Sequence, residues 1–276
     1  MDIEVRGALT DVSFVGQARA PARPGVRVLD LRAATFVDPF GLVVLAALVE
    51  QAQQEGLALT FRPPVDADCA SYLHRMGLAE LLGAAGVEHG LGQVGRRDTG
   101  DRLFELCRFG ADFDAADRLA AQIFRIFQDD PALARELYNS VSEMANNVVE
   151  HSGALGGYVA LQQFHRSSEV SFAVADAGVG LRATLRRTIA VRDDAHALTL
   201  AVRRHVTATG VWGRGAGLNS VARLTTGGGR LQLMSGTHAA TFRGGRVTPR
   251  LSRHPDSFAG TALQARIVRR NSGSRG

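Results

Sequence analysis

The order of strand and helix signals changes across one glycine-rich stretch, Gly90-Leu91-Gly92-Gln93-Val94-Gly95-Arg96-Arg97, and that change confines the chain to an α/β architecture of two unlike parts. Before it, Val26-Arg27-Val28-Leu29-Asp30-Leu31 alternates like a strand, and Phe36-Val37-Asp38-Pro39-Phe40-Gly41 breaks it. Residues 42–55 carry apolar side chains at helical spacing and stop at Gly56, a C-cap. A short strand over 57–61 ends at Pro63-Pro64, and Asp66 N-caps a helix through Arg75 that Gly77 closes. This order predicts a small α/β domain over 1–90, joined by a linker over 91–101. Afterwards a strand over 103–109 precedes two helices, 117–127 and 131–150, with Pro131 in a first turn. Strands are expected over 157–164 and 169–175, then a weakly periodic, arginine-rich stretch to Trp212. A helix over 218–224 and three further strands complete the prediction. Helices bunched before strands predict an α+β sandwich over 102–270, with 271–276 as a disordered tail.

The 276 residues suffice for two modest cores. All 32 basic residues are arginine. The absence of lysine excludes a lysine-bearing phosphate loop, a Schiff-base lysine and a protein kinase of the ordinary eukaryotic type. The same arginine bias, with much alanine and glycine, is also what a GC-rich genome produces. Charge is unevenly spread: residues 1–200 carry a net −7, and residues 201–276 carry +12, with Asp256 the one acid there. A basic C-terminal part suits phosphate-bearing ligands, nucleic acid or an acidic partner, and equally a surface facing the acidic N-terminal part. Two cysteines, Cys69 and Cys107, fit a reducing compartment. The start lacks a signal-peptide layout, and the longest apolar run, 40–49, is about half a membrane span. The expectation is a cytoplasmic protein with no membrane partner.

Three groups of residues carry chemistry. Glu143, Asn147 and His151 are spaced four apart on a helix pattern, and each step turns by only about 40°, so they share a face. Carboxylate, amide and imidazole in one stripe suit a magnesium–phosphate site, although polar residues at this spacing also make a solvated helix face. Asp176-Ala177-Gly178-Val179-Gly180 follows an apolar strand. An aspartate there can accept from an exocyclic amine such as adenine's, while the glycines admit close backbone approach; a plain strand-ending turn reads the same way. Gly213-Arg214-Gly215-Ala216-Gly217 before a helix suits a phosphate cradle, but its spacing is not a dinucleotide fingerprint.

In this order the three groups resemble the N box (E-x-x-x-N), G1 box (D-x-G-x-G) and glycine-rich G2 box of the Bergerat-fold ATPases, the GHKL family. The resemblance covers roughly 100–270. It implies an α/β sandwich of helices over a mixed sheet, with ATP and Mg2+ as cofactors. Asn147 would ligate the metal, and Glu143 would act as catalytic base. Asp176 would bind adenine, with Gly178 and Gly180 making room and Thr261, after Gly260, supporting it. Gly213, Gly215 and Gly217 would wrap the phosphates, and Arg214 is our own candidate for charge stabilisation. His151 resembles the third position of E-x-x-x-N-x-x-x-H in the anti-sigma-factor serine kinases, and equally suits a helix-end histidine. The first part resembles the sulfate-transporter and anti-sigma-antagonist (STAS) fold through Leu29-Asp30-Leu31, Val37-Asp38, Gly41-Leu42 and Leu73-His74-Arg75-Met76-Gly77-Leu78. That family's phosphorylated serine lies in D-S-S-G-L; here the loop is Asp38-Pro39-Phe40-Gly41-Leu42, with no hydroxyl at either serine position. The implied function is an ATP-binding regulator similar to an anti-sigma-factor serine/threonine kinase, acting on a STAS-type or sigma-factor-like protein and compatible with a homodimer. A non-catalytic ATP-gated switch is the alternative, and a nucleic-acid-associated ATPase of the same fold is the weaker third, because few aromatics accompany the arginines.

Overall fold

The computed structural model describes residues 1–92, 102–164, 169–202, 228–244, 246 and 248–268. Its first part is a mixed sheet with strand order β2-β1-β3-β4, in which β1 (Asp2–Leu9), β3 (Val26–Val37) and β4 (Ala58–Arg62) run parallel. The two-residue β2 (Ala18–Arg19), after a single turn α1 (Phe14–Gln17), pairs antiparallel at the edge. Helix α2 (Pro39–Gln54) starts three residues before the expected position, because Asp38 accepts the Gly41 amide at 3.0 Å and Pro39 fits the first turn. Gly56 closes it at φ +66°, as a left-handed C-cap requires. Helix α3 (Ala67–Arg75) is capped by Asp66 through the Cys69 amide at 2.8 Å. Gly77, expected only as a stop, turns the chain straight into α4 (Leu78–Ala84).

The second part places β5 (Arg102–Gly110), β6 (Gly156–Gln163), β7 (Glu169–Asp176), β8 (Arg230–Arg243) and β9 (Arg250–Val268) in the order β5-β6-β7-β9-β8. Every described pairing in it is antiparallel, so the mixed sheet expected here is instead found in the first part. Short returns join β6 to β7 and β8 to β9, and sequence neighbours so joined pair antiparallel. Among the described residues two strands, not three, follow residue 228, because β9 runs on through Pro255 and Gly260. Register shifts at Gly236 absorb the irregularity. Helices α5 (Phe113–Ile126), α6 (Pro131–Asn147), α7 (Gly180–Leu185) and α8 (Asp194–Ala201) belong to this part. Of the expected linker, Leu91 and Gly92 are described and Leu91 is buried; the remainder, and the tail, lie outside the described residues.

Helix α2 is the hub of the molecule. Every residue from Pro39 to Ala52 is buried, as an all-round apolar helix demands. Strand alternation explains the second sheet's two faces. Tyr158, Ala160, Ala173, Ala175 and Ala262 share the core of α2, while Val159, Leu161, Phe172, Val174 and Leu263 pack with Leu119, Ile123, Leu137 and Val141 of α5 and α6. The alanines under α2 let the helix approach closely. Each fully buried leucine, valine or phenylalanine along it contributes about 1.5–3 kcal/mol. At its start a Cβ on Gly41 would lie 2.8 Å from the Leu9 carbonyl oxygen, so only glycine admits this contact with β1.

Acids of the first part meet arginines of the C-terminal strands. Arg230 grips Asp11 with two bonds of 2.7 Å, and Arg266 reaches Asp38 at 2.7 Å and Asp11 at 3.3 Å. Gln264 donates to both Asp38 and Ser171. Burial and the neighbouring Asp11 charge push the Asp38 carboxyl up to about 6, against the pull of the Gly41 amide and Arg266. Among the described residues no helix is long and apolar enough to cross a membrane.

Candidate functional site

Asp176 is the last residue of β7. Ala175 pairs with Ala262 across β9 and faces α2, so Asp176 and its cross-strand neighbour Thr261 fall on the opposite face, toward α6. The carboxylate accepts the Gly178 amide at 2.8 Å and also the Thr261 amide. It is only 4% exposed. Burial pushes its pKa up to about 7; the two amides pull down, and the charge of Glu50 beneath the sheet adds to the rise.

The surrounding glycines explain how three segments cross here. A Cβ on Gly178 would overlap the Ser152 carbonyl oxygen and lie 2.8 Å from Asp176 Oδ1. Gly260, at φ +96°, runs so close to the Asp176 carbonyl that a Cβ would overlap it. Gly180 begins α7 at φ +78°, and a Cβ there would lie 2.8 Å from Ser235 Oγ. The space left by the glycines is thus shared with protein backbone and Ser235. The hydroxyl of Ser235 donates to the Gly260 carbonyl at 2.7 Å and accepts the Leu181 amide at 2.9 Å. Thr184 Oγ1 lies 2.9 Å from the Gly180 carbonyl and 3.1 Å from that of His151. Ser152, Thr184 and Ser235 were not signalled by any motif, whereas Gly260 was noted before Thr261.

Glu143 and Asn147 keep regular α-helical spacing, Glu143 exposed and Asn147 half-buried at the end of α6. The chain then widens into a π-helical turn, Val148–Ser152, which changes the phase of His151 relative to the other two. Regular spacing therefore does not extend to the whole expected stripe. The half-buried His151 has Nε2 3.4 Å from Glu150 Oε2. The Val179 amide donates to the Ser152 carbonyl at 2.8 Å and ties this turn to the 176–180 loop. The structure brings together residues 151–152, 176–180 and 260–261, with Asn147 and Glu143 on the helix leading in. Gly213, Arg214, Gly215 and Gly217 lie outside the described residues.

Chemically the groups fit a purine nucleotide with a hard cation. Asp176 is an acceptor for an exocyclic amine, and the Asn147 amide oxygen is a hard metal ligand. Among the described residues no three His, Cys, Asp or Glu side chains converge as a metal cage, so a cation beside Asn147 would draw its other ligands from phosphate and water. No protein-family model matches the chain, and a search of curated proteins finds no match.

Proposed function

We propose that this chain is a cytoplasmic, Mg-ATP-binding regulatory protein resembling an anti-sigma-factor serine/threonine kinase. In this reading residues 102–270 form a Bergerat-fold ATPase and residues 1–90 a STAS-like docking module. The observation that carries it is Asp176: a carboxylate buried at a strand end, next to Thr261, on the α6 face, and ringed by glycines that let the Ser152, Gly180 and Gly260 backbone close around it. A buried strand-end carboxylate of this kind can select adenine by accepting its amine, because an unmatched partner would leave it unpaired.

The roles of the residues follow from their chemistry. Asp176 accepts from the base, and the Thr261 amide fixes the carboxylate's orientation. Asn147 holds the cation, and Glu143, solvent-exposed on α6, accepts the proton of the attacking hydroxyl. His151, close to Glu150, orders the turn at the end of α6 and is placed to exchange a proton at Nε2. Gly213 to Gly217, with Arg214, would cradle the phosphates. When bound, Mg-ATP supplies the transferable phosphoryl group and the charge neutralisation its transfer needs. Pro39 and Phe40 stand where a STAS module carries serines; they lack hydroxyls and are buried, Phe40 edge-on to Phe14 of α1, which supports a docking role and an acceptor on another protein, STAS-type or sigma-factor-like.

A second reading, an ATP-gated switch without turnover, is favoured by the exposure of Glu143, which leaves its carboxylate in a water-like setting. Incubation with labelled ATP and a STAS-type partner separates the two. The kinase reading expects sustained transfer that Glu143→Ala reduces by about 100-fold or more with nucleotide binding retained. Transfer by that variant at the wild-type rate contradicts the assignment, and stoichiometric binding alone supports the switch.

A further inference from the structure

Two buried polar residues on α2 touch the floor of the Asp176 site from the far side of the sheet. Gln51 donates through Nε2 to the Ala259 carbonyl, one residue before Gly260 and two before Thr261. Its own orientation is fixed by the buried Arg27, whose Nη1 lies 3.4 Å from Gln51 Oε1 and 2.9 Å from the Leu48 carbonyl oxygen. Glu50 accepts the Tyr158 hydroxyl at 2.6 Å, and the residue before Tyr158, Gly157, pairs directly with Asp176. The two α2 side chains are 7% and 2% exposed, so neither serves solubility. A buried glutamate and a buried glutamine on α2 are costly unless paired, and here each has a partner in the second sheet, Tyr158 for Glu50 and the Ala259 carbonyl for Gln51.

We propose that Glu50 and Gln51 are positioning residues for the nucleotide site, through which the N-terminal layer sets the geometry and charge at Asp176. This rests on the nucleotide-binding reading above. Gln51 holds the Ala259–Thr261 backbone, and with it the amide that orients the Asp176 carboxylate. Glu50 lies on the opposite side of the same strands and opposes ionisation of Asp176 by like-charge repulsion. Titratable side chains on the surrounding elements include Tyr158 on β6, Glu169 on β7, Arg182 on α7, Glu150 and His151 on the π-helical turn, and Arg266 on β9. Arg108 of β5 stands 3.6 Å from Glu50 and partly offsets its charge. A partner that shifts α2 would therefore change nucleotide affinity without touching the nucleotide.

The test uses the full chain in two measurements. In ligand-free protein with 13C-labelled aspartate, Glu50→Gln keeps an acceptor for Tyr158 and should lower the Asp176 titration midpoint by about half a pH unit or more; an unchanged midpoint overturns the proposal. Gln51→Met keeps the volume and removes the donor, and should weaken Mg-ADP binding about five-fold or more. Equal Mg-ADP affinity in that variant overturns the positioning role, and a purely structural role for α2 would lower the melting temperature while leaving the Asp176 midpoint in place. If either variant fails to fold, the other decides. Wild-type protein that shows the midpoint shift but binds no Mg-ADP overturns the nucleotide reading and the role with it; wild-type binding unaffected by both variants overturns this proposal alone.

Discussion

Asp38 and Asp176 are two buried aspartates at strand ends, one in each sheet, and they are held in different ways. Asp38 follows β3, is fully buried and accepts the Gly41 amide; Asp176 ends β7, is nearly as buried and accepts the Gly178 amide. Burial raises both, to about 6 and about 7. Asp38, however, is met by the Arg266 guanidinium and the Gln264 amide from more than two hundred residues away, whereas the second bond to Asp176 comes from the Thr261 backbone amide. A carboxylate clamped by a guanidinium is committed to joining the two halves of the chain. One oriented by amides keeps the capacity to accept from a ligand. The contrast separates a structural carboxylate from the one proposed to bind.

The largest effect should come from removing the clamp. Arg266→Met leaves Asp38 and Asp11 in the interface with one guanidinium fewer, and is expected to cost about 3–5 kcal/mol in urea unfolding. Mg-ADP affinity of the folded variant should stay within about two-fold of wild type. Wild-type stability in this variant would erase the distinction drawn between the two aspartates. A smaller effect, on the order of 2–3 kcal/mol from Asp176 alone between pH 5 and pH 7, is expected from pH. An unfolded aspartate ionises near pH 3.9, whereas these two ionise later in the folded protein, so between about pH 4 and pH 7 the folded state holds more protons. Stability then falls as pH rises through that window. Burial holds His254 below its ordinary value and acts in the opposite sense, so the informative quantity is a difference between variants. Melting temperatures at pH 5 and pH 7.5 should fall less in Asp176→Asn than in wild type; an identical fall in both would place the titrating group elsewhere.

The parts of the fold that were legible in the sequence are those written locally. Asp66, Pro131 and Gly56 each act within one turn of where they stand, and each marks a real helix end. The apolar run over 40–49 also carried its meaning: a helix without a polar face has to be enclosed. Strand β1 was missed although Ile3 and Val5 alternate with Asp2 and Glu4, because the run is short before Gly7 and its pairing with β3 is non-local. The three strands expected near the C-terminus are two among the described residues, because a bulged β9 runs on through Pro255 and Gly260. The strand ending at Asp176 was legible from its apolar run, but the bonds of Gln51, Ser152 and Ser235 near it were not, since they depend on chain segments brought together only by packing.

Calorimetric titration of the full chain with Mg-ADP, wild type beside Asp176→Asn, tests the central claim most directly. The expected result is one site in the wild type and affinity at least about ten-fold weaker in the variant, from loss of a charged acceptor, with no loss of melting temperature at neutral pH. Equal affinity in the two proteins, or no binding by the wild type, would contradict the assignment of Asp176 as the adenine acceptor.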